Sequence, residues 1–378
     1  MRSVARTAVA VLVAAALIAI GLIWDIAWHR SVGRDTFWTP PHMVEYVAAL
    51  IVGVGCGWLI LKSSFRGTEV ERGSMVRFWG FHGPLGAWVA VWGSLAMLVS
   101  APFDNWWHNA YGLDVKIVSP PHMLLGAGMT AIIVGAWLMT LAEQNRTAER
   151  HHRFAVVFAL ASAILLLMVV TITMEYTGFP NLWRGEGFYL VAAGVFPFVL
   201  AAAARAGRLR RPATVTAAIF MLASLTLSWV LQQVPATPML APINNPITHL
   251  VAAPFPIALI APALLFDGIQ RKLGNGRDWR LSLLLGAGFV LALLAVSWPL
   301  SAFLLSPAAR NPVFLADQWD FSIRPGAWQY EYWQNLRGGR EHLAPSGFAK
   351  MLMLAALIAA LSARVGLALG SWMRKVKR

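Results

Sequence analysis

A single cysteine, Cys56, in 378 residues closes off most thiol chemistry. One thiol makes no intrachain disulfide, no Cys-x-x-Cys redox or metal pair and no Cys-x-x-Cys-His haem attachment. Charge is scarce as well. Asp, Glu, Lys and Arg make up 13% of the chain, against roughly 25% in soluble domains. Three motifs are missing. No Gly-x4-Gly-Lys-Ser/Thr loop occurs, which excludes the phosphate cradle of an ATP-driven pump. No His-x-x-x-His or His-x-x-His-His box occurs, which excludes the histidine-box di-iron hydroxylases. No Cys-Pro-Cys or Met-x-x-x-Met ladder suggests a copper export path, and the 14 methionines are scattered through apolar runs as core filler.

What the chain has instead is apolar length. Hydrophobic residues make 58% of it, in ten runs at about 7–24, 42–61, 78–101, 122–142, 154–174, 188–204, 214–231, 249–266, 281–304 and 346–370. Most approach the roughly 20 residues that cross a bilayer as a helix, and helices are expected because lipid offers the backbone no partners. The net charge of +14 is not spread as a nucleic-acid footprint. Arg2 and Arg6 precede the first run, and basic clusters follow the second, fourth, sixth, eighth and tenth. By the positive-inside rule both termini are expected in the cytoplasm, with the metal-type residues described below toward the periplasmic side of a bacterial inner membrane. The first run ends in no small-residue cleavage site, so it reads as a retained helix and not as a signal peptide. The fold expectation is an all-α polytopic membrane protein of about ten transmembrane helices. Residues 1–153 (spans one to four) form tandem hairpins, and 154–378 (spans five to ten) a further bundle with an outer, Trp- and Tyr-rich interfacial loop at 305–345.

The hairpins carry a repeat. Residues 25–42 read DIAWHRSVGRDTFWTPPH and residues 104–122 read DNWWHNAYGLDVKIVSPPH. Asp25 and Asp104 are 79 residues apart, as are His29 and His108, while His42 and His122 are 80 apart. In each unit Asp-x-x-x-His closes the outgoing helix and Pro-Pro-His opens the returning one, where proline's missing N–H costs nothing. Two adjacent units of about 80 residues form a tandem repeat. A third, weaker echo, NNPITHLVAAP, puts His249 at the start of the eighth run, behind Gln232 and Gln233 and without an Asp-x-x-x-His.

Residues four apart share a helix face, so Asp25 and His29 converge, as do Asp104 and His108. His42 and His122 then supply a third donor each. One carboxylate and two imidazoles form an incomplete shell with positions left for water, dioxygen or substrate. Copper, iron and zinc all accept such donors. The competing reading makes the carboxylates local backbone acceptors and the histidines interfacial anchors. Duplication, and the functional bias of ionisable groups within spans, favour metal sites.

The first segment resembles the signature of the C subunit of the copper membrane monooxygenases, the particulate methane and ammonia monooxygenases. That signature is Asp-x-x-Trp-His, four residues, Arg-Asp-Thr, then Thr-Pro-x-His. Asp25, Trp28, His29, Arg34, Asp35, Thr36, Thr39, Pro40 and His42 fall in register. The resemblance spans about residues 20–145. It implies copper at Asp25, His29 and His42 and at Asp104, His108 and His122, with Asp104 standing where the family has Asn. It also implies dioxygen-dependent oxidation of a small molecule, a homo- or hetero-oligomeric complex, and partner subunits supplying a periplasmic cupredoxin-like domain that this chain lacks. The bare residues leave two alternatives open: a copper or zinc binding or transport protein without redox turnover, and an assembly protein.

Other ionisable residues rank lower. Glu45, three residues after His42, suits a partner that orients an imidazole or relays protons. His82 reads as a core histidine in preference to a haem ligand, and His151 and His152 as solvated. Asp35, Asp114, Glu175, Asp317 and Asp320 lie in outer segments without a histidine at helical spacing.

Overall fold

The computed structural model describes residues 2–33, 37–112, 119–146, 151–239, 247–274, 278–316 and 345–377. Among these residues twelve α-helices follow one another: α1 (Arg2–Ser31), α2 (Pro40–Arg66), α3 (Glu69–Gly73), α4 (Leu85–Tyr111), α5 (Pro120–Arg146), α6 (His151–Ile172), α7 (Met174–Thr177), α8 (Glu186–Ala206), α9 (Pro212–Leu231), α10 (Ile260–Leu273), α11 (Asp278–Leu304) and α12 (Pro345–Met373). Among the described residues, nine helices are long and apolar enough to cross a membrane: α1, α2, α4, α5, α6, α8, α9, α11 and α12. The protein is thus an all-α, multi-pass membrane protein in its architecture. Among those residues its β structure is one hairpin, β1 (Val76–Phe78) with β2 (Phe81–Gly83), and one isolated bridge from Pro235 to His249. The hairpin turns at Trp79 and Gly80, both at positive φ, 47° and 84°, as the twist of a two-residue hairpin requires.

Nine helices stand where ten runs were expected, and the eighth run is the difference. Residues 250–258 are non-helical, and helix begins only at Ile260. Pro254 and Pro256 explain it. Each lacks an N–H and forces its predecessor into extended backbone. The backbone groups so freed find side chains. Ser31 Oγ accepts from Val251 N at 2.6 Å, Ser228 Oγ donates to Ala253 O at 2.9 Å, and Arg30 donates to Ala252 O at 3.4 Å. His249 therefore opens no helix; it is exposed and extended, and the third echo of the repeat does not fold as the first two do.

The chain divides into two compact units: residues 1–25, 34–165 and 375–378, and residues 26–33 and 166–374. In the first, small residues set the helix spacing. A Cβ on Gly93 of α4 would fall 2.7 Å from Gly128 O, and one on Gly128 of α5 2.8 Å from Gly93 O. Gly86 and Gly135 oppose each other in the same way two turns along. Such contacts let two backbones touch, the route by which helices associate where lipid removes the hydrophobic drive. α2 joins this pair through Ser94 Oγ, which donates to Ala49 O at 2.7 Å. At the far end of α5 the C-terminal tail returns, and Asn145 donates from its side chain to Val376 O at 2.8 Å.

The second unit uses the same device. Gly366 and Gly370 of α12 lie against Phe198 and Ala202 of α8, and Gly286 of α11 lies against Ala360. Pro197 interrupts α8, and Ser362 of α12 mends the ladder beside it. The hydroxyl accepts from Phe198 N at 3.0 Å and donates to Gly194 O at 2.7 Å, an inserted side chain of the kind that accompanies helix kinks. Arg205, 5% exposed, pairs with Asp278 Oδ1 at 2.9 Å.

Candidate metal centres

Each Pro-Pro-His opens its helix by the same local logic. Thr39 precedes α2 in extended backbone (φ −77°, ψ 151°), followed by prolines at the first two helical positions. Those positions have no N–H, so His42 carries the first donor in need of a partner. Thr39 Oγ1 accepts it at 3.5 Å, and Ser119 Oγ accepts from His122 N at 3.5 Å in the second unit. The outgoing helices also end alike. Gly33 and Gly112, again 79 residues apart, adopt positive φ of 85° and 94°, which glycine supplies at least cost. Thr39 stands in the signature of the first repeat, whereas its counterpart Ser119 and the repeated glycine are visible in the sequence only once their roles as cap and helix end are known.

Side-chain donors then converge as the spacing implied. One ligand atom each from Asp25, His29 and His42 lies within 4.8 Å of the others, and so it is with Asp104, His108 and His122. All six residues are half-buried. His42 Nε2 is 3.2 Å from Asp25 Oδ1. His108 Nε2 is 3.2 Å from Asp104 Oδ2, and His122 Nε2 is 3.3 Å from Asp104 Oδ1. The two second-unit imidazoles stand 6.2 Å apart, centre to centre.

The far sides of the rings are held by carbonyls. His42 Nδ1 lies 2.8 Å from Phe37 O, and His108 Nδ1 3.2 Å from Gly112 O. A carbonyl only accepts, so Nδ1 carries the proton in both rings. In a neutral imidazole Nε2 is then a lone pair facing a carboxylate. That arrangement needs a second proton on the ring or a cation between the groups. This outer hydrogen bond from the ring's other nitrogen is the usual companion of histidine ligation. The carboxylate–imidazole separations of 3.2–3.3 Å, which at the second site run to the two different oxygens of Asp104, lie near the ligand–ligand edges of about 3.0–3.4 Å around a metal with bonds of about 2.1 Å, and each three-donor group closes within 4.8 Å. The residues present fit a dication of the copper, iron or zinc type.

The other candidates do not join these groups. His82 lies in β2, its backbone paired with Ser64 Oγ at 2.8 Å. Glu175 is exposed in α7. Asp35, Asp114, Asp317 and Asp320, and most of the 305–345 loop, lie outside the described residues, as do Arg34 and Thr36; of His151 only the backbone is described. Glu45 is different: it is 1% exposed and interacts electrostatically with Asp25 and His42. No protein-family profile matches the chain, and neither a curated protein nor a solved structure matches it.

Proposed function

We propose that the protein is a membrane metalloprotein holding copper at two Asp/His/His sites, and that it is a copper-dependent monooxygenase, or a subunit of one, acting on a small molecule. The observation that carries this reading is the duplicated convergence of one carboxylate and two imidazoles, built twice by the same helix end, glycine, hydroxyl cap and Pro-Pro-His. Bound copper would supply one-electron redox chemistry with dioxygen. In the net reaction one oxygen atom enters a substrate bond to hydrogen and the other leaves as water. A donor outside this chain, in keeping with a partner subunit bearing a cupredoxin-like domain, delivers two electrons and two protons. The chain's own part is to present Asp25 and Asp104 as anions and to hold His42 and His108 in one tautomer through Phe37 O and Gly112 O.

The sites face the periplasm in this reading, with both termini in the cytoplasm. The basic loops support it, and so does the C-terminal tail, which binds Asn145, 23 residues or about 35 Å of helix from His122. Elemental mass spectrometry with electron paramagnetic resonance on the protein in lipid tests the reading. Two coppers per chain are expected, one lost in His29→Ala and the other in His108→Ala. Absence of metal after reconstitution with copper, iron and zinc in turn sinks it. Capture and transfer of copper or zinc is the second reading. Glu45, one turn further into the span, favours it as an inward step. It predicts the same metal content with no oxygen consumed.

A further inference from the structure

The two sites are repeats, but their surroundings are not. Three residues after His42 stands Glu45; three residues after His122 stands Leu125. One turn before Asp25 stands Gly21; one turn before Asp104 stands Ser100. These differences are linked in space, because Glu45 of α2 lies over Gly21 of α1. A Cβ on Gly21 would come 2.6 Å from Glu45 Cγ and 3.4 Å from Oε1. The glycine makes the room that the carboxylate fills. Glu45 is 1% exposed, its Oε1 has no hydrogen-bond partner among the described residues, and among them it interacts electrostatically with Asp25 and His42. A buried carboxylate oxygen without a donor is costly in its ionised form unless a proton neutralises it or a cation compensates it, and a dication bound beside it displaces that proton.

We infer that Glu45 serves the first site as a second anionic group, so that the repeated sites are unequal and the first holds a divalent cation the more tightly. The inference rests on the reading of both triads as metal sites. Glu45 stands outside the group of donor atoms within 4.8 Å, so it acts by charge and not as a fourth ligand. With Asp25 and Glu45 ionised, a dication at the first site is neutralised by carboxylates; at the second, Asp104, the one carboxylate in the described donor group, leaves one positive charge. Near a membrane interior, where charges are weakly screened, the neutral assembly is favoured.

The test uses zinc as a redox-silent probe and graded chelators as competitors, on the full chain in lipid. His108→Ala leaves the first site to be measured alone, and His29→Ala the second. The first is expected to bind zinc about 10–100-fold more tightly, the scale on which partners outside the ligand shell tune metal affinity. Glu45→Gln in the His108→Ala chain is expected to remove that advantage. Gly21→Ala, which displaces Glu45 without altering charge, is expected to lower it in the same direction. Glu45→Gln in the otherwise unchanged protein reports on folding, because a folded chain keeps one zinc at the second site. Equal affinities at the two sites, or a first site indifferent to Glu45→Gln, overturn the inference while leaving two metal sites. Zinc absent from both sites removes the metal reading and this inference together.

Discussion

His42 Nε2 stands 3.2 Å from Asp25 Oδ1, across 17 residues of chain. The relationship recurs 3.3 Å wide between His122 and Asp104. In both repeats it ties a carboxylate about two turns before the end of one helix to the first turn of the next. A dication between these atoms would draw the groups together, and at His42, whose Nδ1 proton goes to Phe37 O, it would relieve a lone pair set against a carboxylate, so metal and hairpin would stabilise each other through linkage.

Asp104→Asn is the most informative single change at the second site. It keeps an oxygen donor and removes the charge, matching the residue found at this place in the copper monooxygenase signature. The second site is expected to keep its metal with affinity lowered on the order of tenfold, while the first is unchanged. Chelator competition in the His29→Ala chain measures it.

Acid should strip both sites. Protons compete with metal for the imidazoles and carboxylates, so retention falls as pH falls. Metal content of lipid-embedded protein after equilibration at decreasing pH is expected to drop and to recover on return to neutrality with metal present. Retention unchanged in acid would count against histidine ligands.

Gly128→Ala places a Cβ 2.8 Å from Gly93 O, against backbone that has nowhere to go. A loss of about 1–3 kcal/mol is expected, the usual cost of overpacking. Gly55→Ala on α2 meets nothing within 4 Å and is expected to be neutral or to stabilise by up to about 1 kcal/mol. Thermal unfolding of the two variants in the same lipid compares them directly.

Ser362→Ala removes the hydroxyl that joins Gly194 O to Phe198 N. An interhelical hydrogen bond of this sort contributes roughly 0.6–1.7 kcal/mol in a membrane protein. The midpoint of unfolding should fall accordingly, with metal content at both sites unaltered.

Local pattern carried much of this protein. Apolar run length gave the nine long helices, because a membrane helix satisfies its own backbone and so announces itself over 20 consecutive residues. Helical periodicity brought Asp25 to His29 and Asp104 to His108, and the Pro-Pro-His start located the third donor of each group. The eighth run shows the limit of such reading. Its hydropathy suits a span, yet Pro254 and Pro256 break it, and hydropathy does not register a missing N–H.

What only the tertiary structure decided are the relations between segments. That Glu45 occupies the space left by Gly21, that Phe37 O and Gly112 O fix the imidazoles, that Gly93 and Gly128 set backbone against backbone, and that Ser362 mends α8 at Pro197 all depend on which helix lies beside which, and at what height. The repeat spelled out two similar sites by itself. The sequence also shows Glu45 against Leu125 and Gly21 against Ser100; that these two changes meet in space appears only in packing, because they lie on different helices.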